Sequence, residues 1–150
     1  MCYTWTVERQ IAAFDIGDKR IGVAFSDPFG EYAMPSDTYF RTGDFRADVN
    51  AVADIAKARA VALIVCGLPL NSDGTDSAQT EKARRFASAL KEATDIPVVL
   101  EDERYTTLAA RHELVLGGVS AKKDKRKKRV DSLAAAHILE GYLAKNRRNT

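Results

Sequence analysis

Three carboxylates stand where an acid is hard to explain as surface decoration. Asp15 interrupts the apolar run Ile11 to Ile16 (IAAFDI), Glu103 follows the run Ile96 to Leu100 (IPVVL), and Asp131 opens the apolar pattern of the last helix. An ionised carboxylate taken out of water costs several kcal/mol unless it is paired, hydrogen-bonded or bound to a metal. Acid clusters without Cys or His ligand patterns suit hard cations such as Mg²⁺ or Mn²⁺ and disfavour zinc. Two such cations about 4 Å apart can activate a water and stabilise the leaving oxygen in an in-line attack on a phosphodiester.

Each acid also has a purely structural alternative. Asp15 could start a turn with Gly17 and Asp18, since Asp and Gly cluster at turns. Glu103 could pair with Arg104, and Asp131 could be a first-turn helix acid favoured by the helix dipole. Asp102 is the fallback should Glu103 fail to reach the other two.

The net charge of +2 hides a local excess of base. Lys122, Lys123, Lys125, Arg126, Lys127, Lys128 and Arg129 fall within eight residues that contain a single acid, leaving the rest of the chain net acidic. Blocks of like charge are commonly solvated loops. This one adjoins Asp131, and Lys/Arg contacts to phosphate supply salt-dependent, sequence-independent affinity, which favours nucleic acid over a small substrate.

The chain has 150 residues, enough for one domain that buries roughly 70% of its unfolded surface. Residues 1–9 read as an extension ahead of that domain and residues 118–129 as a basic loop. Ala60 to Leu70 is the longest apolar stretch and falls well short of the roughly 20 residues that cross a bilayer, so no membrane partner is expected. No leader pattern is recognisable in MCYTWTVERQ, and the expected location is cytoplasmic. Cys2 and Cys66 form neither a disulfide framework nor a zinc spacing.

The acids must be positioned by an α/β fold. Ile11 to Ile16 and Arg20 to Ser26 read as a β-hairpin around Gly17, with Gly22 marking a bulge or a close approach. A short third strand is expected over Asp37 to Phe40. Apolar residues at Phe45, Val49, Val52, Ala53 and Ala56 predict a helix from Asp44 to Arg59, capped by Thr42 or Asp44. Val61 to Cys66 reads as a buried strand ended by Gly67, Leu68 and Pro69, and strand–helix–strand order implies a parallel crossover.

The turn NSDGT follows, with Thr75, Asp76 or Ser77 as cap of a helix running to about Thr94. Asn71, Gly74 and Thr75 are candidate phosphate contacts, because ligands in α/β sheets sit beyond the carboxyl ends of strands and near helix N-termini. Ile96 to Leu100 is the next strand. Thr106 or Thr107 caps a helix to Leu116, and the last helix is expected from about Val130, with Asp131 in its first turn.

FDIGDKRIGVAFSD, VCGLPLNSDGT, EDERYTT and VDSLAAAHILEGYL, with GGVSAKKDKRKK between the last two, resemble the YqgF family of RuvC-related nucleases. The likeness runs from about Ile11 to Leu143. It implies a ribonuclease H-like α/β fold, a mixed five-stranded sheet flanked by helices, and a Mg²⁺-dependent endonuclease acting on structured nucleic acid. The implied role is trimming the 5′ end of pre-16S ribosomal RNA, with the small-subunit precursor as partner. By motif the catalytic and metal-binding acids fall on Asp15, Glu103 and Asp131, with Lys19 and Arg20 in the turn motif; these two, Arg104 and the basic run are the expected nucleic-acid contacts. Asp18 departs from the family's usual Thr or Ser and adds negative charge beside the site. The strand ending at Gly67 lacks the acid that RuvC-like resolvases carry there, so Glu103 must reach the site from another strand end.

Branched DNA is an alternative substrate within the same chemistry, and a weakly catalytic or non-catalytic RNA-binding assembly factor is a second class. A phosphate-binding ATPase is a third, but that fold needs two such domains. Monomer and homodimer both remain open.

Overall fold

The computed structural model describes residues 10–103 and 123–148. Five strands form one sheet: β1 (Ile11–Ile16), β2 (Arg20–Ser26), β3 (Ala33–Phe40), β4 (Leu63–Leu68) and β5 (Val98–Asp102). Their spatial order is β3-β2-β1-β4-β5, with β1–β2 and β2–β3 antiparallel and β1–β4 and β4–β5 parallel. This is the mixed sheet that the sequence leads one to expect. Helix α1 (Phe45–Ala58) links β3 to β4, α2 (Ala78–Ala93) links β4 to β5, and α3 (Lys123–Arg148) ends the described chain.

Strand alternation divides the core into two layers. Ala12, Phe14 and Ile16 of β1 point to one side with Ile21, Val23, Phe25, Ile64 and Cys66, where α1 and α2 cover them with Val49, Val52, Phe86 and Leu90. Ile11 and Ala13 point to the other side with Ala24 and Val65, where α3 supplies Ala135, Ile138, Leu139 and Leu143. Ala13 and Ala24 of the sheet meet Ala135 of α3 in the second layer, and these small contacts let α3 lie close on the sheet.

Several boundaries differ from the sequence reading. β3 begins at Ala33 rather than Asp37; most of it is exposed at the sheet edge, so no alternation announced its first half. β4 starts two residues after Val61, whose N–H is used by the Ala56 carbonyl at the end of α1. Gly67 does not end that strand but lies within it, paired with Glu101. The basic run is not a loop over its described part: α3 begins at Lys123, and Asp131 is its ninth residue, in the third turn rather than the first. Lys and Arg are good helix formers, and neither Gly nor Pro separates Lys123 from Val130, so the helix extends back through the charges.

Ser77 caps α2 in a reciprocal box with Thr80, and Asp44 caps α1 through the Ala47 N–H. Among the described residues no helix is long and apolar enough to cross a membrane. The expected helix after Thr107, with Cys2, Arg104 and Lys122, lies outside the described residues, and Lys123 to Arg129 are described by their backbone alone.

A candidate acidic site on the face covered by helix α3

Asp15 is the third residue of β1 on the face that receives α3, following Ile11 and Ala13. Its neighbours across the sheet are two glycines. Gly22 of β2 is its antiparallel partner, and the Phe14–Cys66 pair brings Gly67 of β4 alongside on the other flank. Each glycine leaves room that another acid-bearing segment fills. A Cβ on Gly22 would stand 2.0 Å from the backbone oxygen of Asp131, and one on Gly67 would stand 1.8 Å from Glu103 Oε2. Both readings of Gly22 therefore hold, since the β2–β3 register also shifts between Gly22 and Ala24.

Glu103 reaches this position by strand alternation. Its N–H extends the ladder to the Leu68 carbonyl, and its side chain falls on the same side as Glu101, whose carboxylate receives Lys145 of α3 at 2.9 Å. Asp102, between them, belongs to the opposite side of the strand. The geometry thus selects Glu103 over Asp102 as the acid that joins Asp15.

Glu103 is only 8% exposed, and its Oε2 is buried with no hydrogen-bond partner among the described residues. Burial drives its carboxyl group above the ordinary carboxylate range, and the charges of Asp15 and Asp102 and a hydrogen bond with Asp15 push it the same way. Two hydrogen-bonded carboxyl groups must share a proton or a cation, because like charges in contact cannot both ionise freely.

Asp131 is directed differently. Its Oδ2 accepts from Arg20 Nε at 2.8 Å, in an ion pair whose side chains are 20% and 31% exposed. Among the described residues no group of three or more His, Cys, Asp and Glu side chains is arranged to hold a cation. The structure brings Asp15 and Glu103 into direct contact and seats the Asp131 backbone over the glycine beside them, with its carboxylate on Arg20. An all-oxygen donor set, mutual repulsion and an orphaned buried oxygen fit a hard cation.

Asp18 carries its negative charge at the turn with its partners on α2. It accepts from Gln79 and Lys82 of α2 at 2.9 and 3.2 Å, and these contacts hold its carboxyl group below the ordinary carboxylate range. The turn is braced from the other side by Arg41, which donates to Gly17 O at 2.9 Å and to the buried Asp48 at 3.0 Å. Sequence reading missed this brace, because a lone Arg after a strand carries no motif.

The proposed phosphate loop uses its donors internally. Asn71 Nδ2 donates to Thr75 Oγ1 and to the Asp76 carbonyl, Thr75 donates to Asp73, and the Gly74 N–H closes on Asn71 O.

The RuvX family model, described as a Holliday junction resolvase, matches residues 9–145. A protein of Clostridium kluyveri named "Putative pre-16S rRNA nuclease" is 42% identical over 134 residues, covering 89% of this chain and 96% of the relative. A protein of Clostridium tetani with the same name is 41% identical, with 89% and 95% covered. Among solved structures, Thermus thermophilus RuvC in complex with a Holliday junction substrate superposes with a TM-score of 0.55 at 14% identity, covering 91% of this chain and 95% of that one. That likeness shows a shared fold, the ribonuclease H-like one.

Proposed function

The chain belongs to the RuvX family, and on that premise we propose that it is a metal-dependent endonuclease that hydrolyses phosphodiester bonds at the 5′ end of pre-16S rRNA. The observation that carries this reading is the Asp15–Glu103 contact, with the buried Glu103 Oε2 left without a partner among the described residues. Stability alone does not account for two touching acids in a half-dry site.

Asp15, Glu103 and Asp131 would hold Mg²⁺ or Mn²⁺, as one ion or a pair. When bound, the metal supplies the positive charge that makes a water more acidic and stabilises the leaving oxygen. The chain's own contribution is positioning. Strand β1 fixes Asp15, the gap at Gly67 admits Glu103, and the gap at Gly22 lets α3 settle with Asp131 at the rim. Arg20 holds Asp131 by its guanidinium and stands ready to share that charge with a substrate phosphate. Lys19 and the basic start of α3 would hold the flanking phosphodiesters, in the cytoplasm.

The relatives' name favours an RNA substrate, and the family description keeps branched DNA as the second reading. The test is cleavage of a pre-16S 5′-leader RNA and of a four-way DNA junction, with Mg²⁺ and with EDTA, by wild type and Asp15→Asn. Wild-type cleavage of the leader that disappears in EDTA and in the variant is expected. Absence of wild-type cleavage on both substrates, or survival of activity in Asp15→Asn, overturns the proposal.

A further inference from the structure

On the side of the sheet away from the acids, a cavity of about 290 Å³ opens between the β1–β2 turn, the end of β3 and helices α1 and α2. Its walls carry Arg41, Lys82 and Arg85, one carboxylate, Asp18, and two aromatic rings, Phe45 and Phe86. The rings meet edge to face with centroids 5.8 Å apart. Phe86 is buried, and Arg41 lies 5.2 Å above it. Phe45 is 40% exposed, with the Arg85 guanidinium 6.0 Å from its centroid.

Several features separate this cavity from an ordinary surface crevice. Lys82 and Arg85 are three residues apart on α2 and so project from one helix face. An exposed aromatic ring sits among cations, an arrangement that stacks a base while neutralising its phosphate. The cavity also adjoins the site: Asp18 is three residues from Asp15, which places their Cα atoms at most about 11 Å apart. A strand held at the acids need only cross the β1–β2 turn, past Arg20 and Lys19, to enter it.

We propose that this cavity is a second nucleotide-binding subsite, which takes one nucleotide unit of a single strand passing over the β1–β2 turn. The base stacks on Phe45, and the phosphate is held by Lys82 and Arg85. Asp18 keeps Lys82 at the turn, and the Arg41 brace through Gly17 and Asp48 fixes the floor. The proposal rests on the nuclease reading above for the direction of the strand, and on the cavity alone for its chemistry.

The test titrates wild type, Phe45→Leu, Lys82→Gln and Arg85→Gln into a short fluorescent single-stranded oligonucleotide in EDTA. Anisotropy is read at several salt concentrations, and thermal midpoints are measured alongside. Phe45→Leu is expected to weaken binding about tenfold, the scale of one base stack. Lys82→Gln and Arg85→Gln should each lower the log–log salt slope by about 0.7. Wild-type affinity and slope in the folded variants overturn the subsite. Binding of adenosine monophosphate that the variants lose, with oligonucleotide binding unchanged, also overturns it in favour of a free nucleotide. If the variants lose oligonucleotide binding while wild type cleaves neither leader nor junction, the subsite stands and the nuclease reading falls. If Asp15→Asn alone abolishes cleavage and the cavity variants bind normally, the subsite falls by itself.

Discussion

Glu103 Oε2 lies 1.8 Å from the point where a Cβ on Gly67 would stand, so the missing side chain of one strand is the seat of a carboxylate borne by its neighbour. The Ile138 side chain of α3 closes the same spot at 2.5 Å. Gly67→Ala should therefore displace Glu103 from Asp15 and cut cleavage at least a hundredfold, while a single methyl group costs about 1–3 kcal/mol in urea unfolding. Gly22→Ala meets the Asp131 backbone, which cannot swing away, and should cost the upper end of that range or more. Equal losses of stability and activity in the two variants would remove the special role of Gly67.

The Asp15–Glu103 contact is a liability without a cation. Asp15→Asn keeps an acceptor for the shared proton while removing one charge from the buried pair, and should hold or raise the thermal midpoint in EDTA. A divalent ion that binds the folded state stabilises it by about 2.7 kcal/mol at a hundredfold excess over its dissociation constant. Mg²⁺ or Mn²⁺ should thus raise the wild-type midpoint and leave that of Asp15→Asn unmoved, a readout independent of catalysis. An equal shift in both proteins would place the cation elsewhere.

Asp48 sets an acid limit on stability. Burial pushes its carboxyl group up, but the Thr42 N–H, Arg41, the Thr42 hydroxyl and the Tyr39 hydroxyl outweigh that and bring it down from 3.8 to about 2. A carboxyl group with a depressed folded-state value stabilises fully above its unfolded value and loses that contribution as pH falls through the folded one. Denaturant unfolding of wild type should lose about 2 kcal/mol between pH 4 and pH 2 from this group. In Asp48→Asn, less stable at neutral pH, that part of the acid slope should vanish.

The helical start of α3 makes the basic run a charged rod rather than a slack tether. Replacing Lys125, Arg126, Lys127 and Lys128 by Gln keeps good helix formers in place and should leave the circular dichroism of the fold intact. Affinity for duplex or structured nucleic acid should fall, with the log–log salt slope shallower by about 0.9 for each phosphate no longer neutralised. An unchanged slope would assign the run to solvation.

Hydrophobic periodicity is a local property, carried within a few residues by Ile11 to Ile16, Val49 to Ala56 and Val98 to Leu100, so the order of the described strands and helices along the chain is legible without the fold. The sequence by itself also singled out Asp15, an acid in an apolar strand, and Gly22, a gap in one. Tertiary structure decided what those gaps are for. Glu103 over Gly67, Arg20 on Asp131 across 111 positions, and Phe45 beside Arg85 depend on how closely α3 and α2 settle on the sheet. That closeness follows from the summed packing of Ala134, Ala135 and Ile138 on one side and Phe86 and Leu90 on the other, which no local pattern encodes. The start of α3 at Lys123 went unread for a related reason: like charge argues for a loop, side-chain propensity argues for a helix, and only a folded chain chooses between them.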